Sequence, residues 1–227
     1  VEAITLKTNK GLVEYAKAQL GLPYWYGTFG LTASAVLYAA KKKQYPQYYR
    51  SWCDFPTQYG QRVHDCVGLI KGYLWSDTPT SAPRYNAQQD VSANTMRYVC
   101  SERGDMSTMP NIPGVLVFMN GHVGVYIGGG YVVEARGHEY GVVKTELKKR
   151  PWKWWGKCPW IEYDETAMVK IKPGTWNIRA GAGTSFVVVK VIRGNNTVRY
   201  SKHSEDGWLY LPTYGGWISP KAIEQGV

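Results

Sequence analysis

Long apolar runs are missing from this chain of 227 residues. No stretch approaches the roughly eighteen consecutive apolar residues of a membrane-spanning helix, so no span is expected. Cysteine is sparse, with only four residues at Cys53, Cys66, Cys100 and Cys158. Their number and irregular spacing exclude a disulfide scaffold, and if one is a working thiol the other three allow at most one bridge. The paired short spacings of a zinc site are also absent, which argues against Cys53, His64, Cys66 and Cys100 as a metal cluster. No basic-then-apolar leader stands at the N-terminus, and because the chain starts at Val1, export is left open.

Acidic residues are outnumbered, 17 Asp and Glu against 27 Lys and Arg, for a net charge of +10. The excess is shared, 19 basic against 13 acidic residues before Glu165 and 8 against 4 from there on. A surface of this sign steers a protein toward an anionic partner. Its only clusters are Lys41-Lys42-Lys43 and Lys148-Lys149-Arg150, both expected to be solvated faces. No nucleic-acid motif accompanies them, so nucleic acid is not the expected partner.

What is present is a composition able to bury a core, 44% hydrophobic and 19% charged. Leu12, Val13, Ala16 and Leu20 share one face of a helix expected over 11–20, with Gly21 as its stop. Pro23-Tyr24-Trp25-Tyr26-Gly27 reads as an extended aromatic segment ending in a turn, and 33–43 as a helix. Residues 44–62, rich in Tyr and Pro, have no clear period and belong to a long insertion at about 28–62. Asp65 then caps a buried helix ending near Trp75, and 91–101 has helix-like character. After that come short strands separated by glycine turns, at 115–119, 122–127, 131–136 and 142–147, closed by a Trp-rich segment at 151–163. Helices followed by an antiparallel meander make an α+β layout. From Met168 onward only short strands remain, at 169–171, 176–179, 187–191, 197–200, 208–211 and 216–218, which suggests a small all-β barrel. Two domains are therefore expected, 1–165 and 166–227.

The chemistry concentrates at three points. With Asp65 as N-cap, Cys66 lies in the first helical turn, where unpaired N–H groups and the helix dipole are expected to favour a thiolate and to receive an oxyanion. Gly68 removes a side chain where substrate or the facing sheet approaches. His122 opens a strand on which Val123, Val125 and Ile127 share one face. The His122 face is then expected to look at the Cys66 helix, with Gly124 keeping that approach open. If Gly128-Gly129-Gly130 is a three-residue hairpin loop, Glu134 lies opposite Gly124 and diagonal to His122. A carboxylate there orients an imidazole and stabilises its protonated form. The bland alternative is an exposed Glu134 paired with Arg136, and His138 is the competing third residue.

Taken in order, Pro23-Tyr24-Trp25-Tyr26-Gly27, Asp65-Cys66-Val67-Gly68-Leu69-Ile70, Gly121-His122-Val123-Gly124-Val125-Tyr126-Ile127-Gly128 and Val133-Glu134-Ala135 resemble the NlpC/P60 family of papain-like cell-wall peptidases. The resemblance implies helices packed on an antiparallel sheet, Cys66 as nucleophile, His122 as base, Glu134 at the third polar position and Tyr24 near the oxyanion site. It places Asp65, Val67, Gly68, Trp25, His64 and Gly121 around the substrate, with no metal and no cofactor. It further implies peptidoglycan stem peptides as substrate, cut next to D-glutamate and commonly at the γ-D-glutamyl–diamino acid bond. The expected setting is extracellular or in the wall, for a monomer that is secreted or released as a phage endolysin. An amidase freeing stems from N-acetylmuramic acid, and an inert wall-binding protein, are the alternatives. Three departures stand out: Val67 where the family usually has Ser, Glu134 where it more often has His, Asn or Gln, and the insertion, which is expected to wall the site.

The second half resembles a bacterial SH3 domain through Asn177-Ile178-Arg179-Ala180-Gly181, Gly207-Trp208-Leu209 and Gly216-Trp217-Ile218. That resemblance implies a wall-binding tether, with Trp176, Tyr200, Trp208, Tyr210 and Tyr214 as candidate groove aromatics.

Overall fold

A computed structural model describes residues 7–51, 53–164 and 167–224. The chain forms two compact units, Val1–Asp164 and Glu165–Val227. Among the described residues no helix is long and apolar enough to cross a membrane, and the four cysteines are free.

The first unit begins with α1 (Asn9–Ala18), capped by the Thr8 hydroxyl, which accepts from the Gly11 N–H. Leu12, Val13 and Ala16 are buried as the spacing predicts. Leu20 falls beyond the helix end and is 40% exposed, a correction to its place on the buried face. The long insertion has its own structure. It holds β1 (Phe29–Thr32) and α2 (Ala35–Gln44), and it runs into β2 (Arg62–His64), which pairs antiparallel with β1. Trp25, Ala33, Tyr49, Phe55 and Val63 form a small separate core beneath it. Aromatic side chains carry large buried areas, so a segment without periodicity still finds a hydrophobic nucleus.

All ten residues of α3 (Cys66–Trp75) are buried, as expected for a helix that is apolar all round. Short α4 (Ala93–Val99) follows. A six-stranded sheet then forms from β3 (Arg103–Asp105), β4 (Leu116–Met119), β5 (His122–Gly128), β6 (Tyr131–Ala135), β7 (Val142–Glu146) and β8 (Trp154–Gly156). Its order is β3-β8-β4-β5-β6-β7, antiparallel throughout. The Trp-rich closing segment thus supplies an interior strand, β8, which its three residues are too short to announce by alternation.

Both faces of this sheet are covered. One packs Leu116, Phe118, Val123, Val125, Val133 and Ala135 against α1 and α3. The other gathers Val117, Tyr126, Val132 and Trp152, with Met106, Met109, Met119 and Leu147 around them.

Among its described residues the second unit has strands and two single 3-10 turns, Pro212–Tyr214 and Pro220–Ala222, but no α-helix. A five-stranded antiparallel sheet of order β11-β10-β15-β14-β13 is built from β10 (Thr175–Arg179), β11 (Val188–Arg193), β13 (Lys202–His203), β14 (Leu209–Leu211) and β15 (Gly216–Ile218). β9 (Ala167–Lys170) pairs with β12 (Thr197–Tyr200). Ile171, Ile178, Ile192, Val198, Leu211 and Ile218 form its core. Of the candidate groove aromatics, Trp208 is buried; Trp176, Tyr200 and Tyr214 pack partly against the core; and Tyr210 meets Trp217 edge to face.

Candidate active site

Asp65 caps α3, as its place before the apolar run predicts. Its carboxylate accepts from the Gly68 N–H at 2.5 Å and from the Gly27 N–H at 2.9 Å, tying the aromatic segment to the helix start. Gly68 serves that same crossing. A Cβ there would sit 1.8 Å from the Thr28 carbonyl oxygen, so the missing side chain admits a backbone rather than substrate.

Cys66 is 8% exposed, with Sγ 3.9 Å from the Gly121 carbonyl oxygen, one residue before His122. Burial pushes its thiol up to about 12, and the Asp65 carboxylate adds to that. The N–H groups of Val123, Val67 and Cys66 pull the other way without prevailing. The expectation of a thiolate stabilised by the helix start is therefore corrected. Desolvation and a neighbouring anion outweigh the helix N–H groups, and the resting thiol is neutral.

His122 does not face α3, a second correction. The odd-numbered face of β5 meets the helix, and His122 lies on the other face with its ring stacked on Trp152, centroids 5.6 Å apart. Gly124 makes room for this stack, since a Cβ there would come within 2.6 Å of Val132 and 3.0 Å of Trp152. What the thiol reaches is the Gly121 carbonyl oxygen at the start of β5, where the chain is only a two-residue turn away from β4.

Glu134 stands where the parity argument puts it, by an unexpected route. Gly128 pairs with Tyr131, so the turn holds two residues, and the register slips by one between Tyr126 and Gly128. The two irregularities cancel. Val125 pairs with Val133, and Glu134 comes to lie across from Gly124. Glycine is required in this turn because φ is +86°, +61° and +78° at Gly128, Gly129 and Gly130.

The Glu134 side chain is fully buried and saturated with donors. Oε2 meets His122 Nε2 at 2.7 Å, and Oε1 accepts from the Thr145 hydroxyl at 2.7 Å. Arg150 grips both oxygens, each at 2.9 Å. Burial would raise this carboxyl, but the hydrogen bonds from His122, Arg150 and Thr145 outweigh it and hold the pKa at about 2. An anionic acceptor at Nε2 fixes the proton on that nitrogen and leaves Nδ1 bare as the basic site. Glu134 is neither exposed nor paired with Arg136, which lies over the Tyr140 ring instead. Arg150 is correspondingly no solvated residue, being 19% exposed.

The remaining candidates separate. Tyr24 packs against the Cys66 core. Burial raises its pKa, Cys66 and Asp65 adding to the effect, so the phenol keeps its proton. Val67 lines a groove of about 450 Å³ beside the start of α3. The Gly121 N–H is held by Asn94 Oδ1 at 2.8 Å. Trp25 and His64 are corrected from substrate contacts to core. Trp25 is wholly buried, its indole N–H donating to Gln58 at 2.6 Å. His64 is also wholly buried, its Nε2 3.1 Å from the Tyr15 hydroxyl, and burial followed by Arg62 pushes its pKa down to about 3. His138 packs among Tyr24, Tyr49 and Phe55, while Glu134 holds His122 Nε2.

Arg150, Thr145, Trp152 and Asn94 were missed by sequence reasoning. Thr145 alone had a legible signal, because carrying the parity count across the next hairpin puts it on the Glu134 face, opposite Val132.

The description "NlpC/P60 family" belongs to the family model that matches residues 54–159, so the chain carries a domain of that family there. No curated protein matches the chain. Among solved structures, NlpC2 of Trichomonas vaginalis is 15% identical, with a TM-score of 0.43 over 71% of this chain and 49% of that one. NlpC1 of the same organism is 18% identical, at 0.41 over 70% and 47%. The chain thus spans about half the length of both. The peptidoglycan hydrolase RipB of Mycobacterium tuberculosis is 19% identical, at 0.39 over 68% and 67%.

Proposed function

We propose that the first unit is a cysteine peptidase that opens peptidoglycan stem peptides, most specifically at a γ-D-glutamyl–diamino acid bond. The observation that carries the reading is a buried thiol at a helix start, 3.9 Å from the Gly121 carbonyl oxygen, next to the strand whose His122 has Nε2 held by Glu134 at 2.7 Å. His122 Nδ1 takes the Cys66 proton as sulfur attacks the carbonyl carbon. The oxyanion is received by N–H groups at the start of α3 and by the protonated Tyr24 hydroxyl. His122 then returns the proton to the leaving amine as the C–N bond breaks, and water hydrolyses the thioester. Because the thiol rests near 12, proton transfer accompanies attack rather than preceding it. The second unit is read as a wall-binding SH3-like tether, supported by its Asn177–Arg179 strand and all-β core.

The test is digestion of purified peptidoglycan with mass spectrometry of the released fragments. The wild type is expected to release cut stems and Cys66→Ala to release none. Intact stems would mean an amidase, and full activity of Cys66→Ala would remove the mechanism.

A further inference from the structure

Of the two lysines that line the groove beside the start of α3, Lys41 makes no ion pair among the described residues, although Asp65 and Asp90 both act on it through space. The groove's charged lining groups are Lys41, Asp65, Lys71 and Asp90. Asp65 is engaged by the Gly27 and Gly68 N–H groups. Asp90 takes Lys71 on one oxygen and the Tyr85 hydroxyl on the other. Lys41 reaches only the neutral Gln44 side chain, at 3.2 Å, and lies 5.6 Å above the Tyr45 ring. Among the described residues it has no ion-pair partner. Its helix is nonetheless held in place, because Leu37 and Tyr38 of α2 pack on the core formed by Trp25, Tyr49 and Phe55. That packing places the ammonium at the groove, and Val67 on the groove's α3 side offers no polar side-chain atom.

We propose that Lys41 is a specificity residue of this site and binds a carboxylate of the substrate peptide as its scissile bond is presented to Cys66. The proposal rests on the reading that Cys66 opens a stem peptide. A γ-linked glutamyl residue leaves its α-carboxylate free, and amidation of that group removes one charge at almost unchanged size. A charge-assisted hydrogen bond made with one form and not the other discriminates between them.

Two synthetic peptides test this, L-Ala-γ-D-Glu-L-Lys-D-Ala with the glutamyl α-carboxyl either free or amidated. Binding to the full chain carrying Cys66→Ala is measured by calorimetry, and kcat/KM is measured with active enzyme. The free acid is expected to bind about tenfold more tightly, a difference of about 1.4 kcal/mol. Adding Lys41→Met, which keeps the alkyl stem on Tyr45, should abolish the difference by weakening the acid alone, and Lys41→Arg should keep it. Equal affinities, equal weakening of both peptides by Lys41→Met, or no binding of either refutes the proposal. If the active enzyme cuts neither peptide while the Cys66→Ala chain still discriminates between them, the hydrolase reading fails and the carboxylate site stands.

Discussion

Glu134→Gln changes one atom of a buried side chain and should act far beyond its size. The carboxyl is held at about 2 against an ordinary 4.5, and each unit is worth about 1.4 kcal/mol. That is on the order of 3 kcal/mol of stability, fully present above pH 4.5 and lost as pH falls toward 2, where the folded-state carboxyl protonates. The variant should lack this acid-labile component, with a lower melting temperature at pH 7 because Arg150 is left without its anion. The catalytic effect follows from the donors. Each oxygen takes two donors, Thr145 and Arg150 Nε on Oε1 and His122 and Arg150 Nη2 on Oε2, so the glutamine NH₂ opposes donors at either end, and the consequence for catalysis comes when it faces His122 Nε2. The imidazole proton is then forced onto Nδ1, the nitrogen that has to accept the thiol proton. A wrong tautomer in a related triad costs about 10⁴-fold in kcat, and a loss of roughly 10³ to 10⁴-fold is expected here. Calorimetry across pH 2 to 7 and initial rates on solubilised wall fragments read both effects. Activity within threefold of wild type would refute the reasoning.

The buried neutral thiol predicts that Cys66-specific alkylation, taken as the difference between wild type and Cys66→Ala, is slow at pH 7. It should rise continuously beyond pH 9, and a thiolate titrating below pH 7 would contradict the desolvated site. Gly124→Ala puts a methyl into the Trp152 stack, so a cost of about 1–3 kcal/mol is expected. Activity should fall with it as the ring leaves His122, and a Trp152 position unchanged in a crystal structure of an inactive Gly124→Ala protein would break that link.

The helix start at Asp65-Cys66 and the shared face of His122 and Glu134 were legible because both follow from local rules. A short acidic residue before an apolar run caps a helix, and side chains alternate along paired strands. The parity survived even though the hairpin was not the one assumed, since a two-residue turn and a one-residue slip offset each other. Within the insertion the helix expected over 33–43 was legible, but the small core was not, because aromatic packing such as the Trp25 cluster has no sequence period.

What the tertiary structure alone decided is the electrostatic state of these residues. The sequence by itself determined that Asp65 caps the Cys66 helix and that His122 and Glu134, the candidates for the chemistry, share a face of paired strands. Folding decided that α3 covers the Val123 face, that Trp152 covers the other, that Arg150 rather than Arg136 meets Glu134, and that Cys66 rests as a neutral thiol. The physical reason is range. Capping and alternation act between neighbours a few residues apart, whereas desolvation and ion pairing sum over groups brought together from across the whole unit.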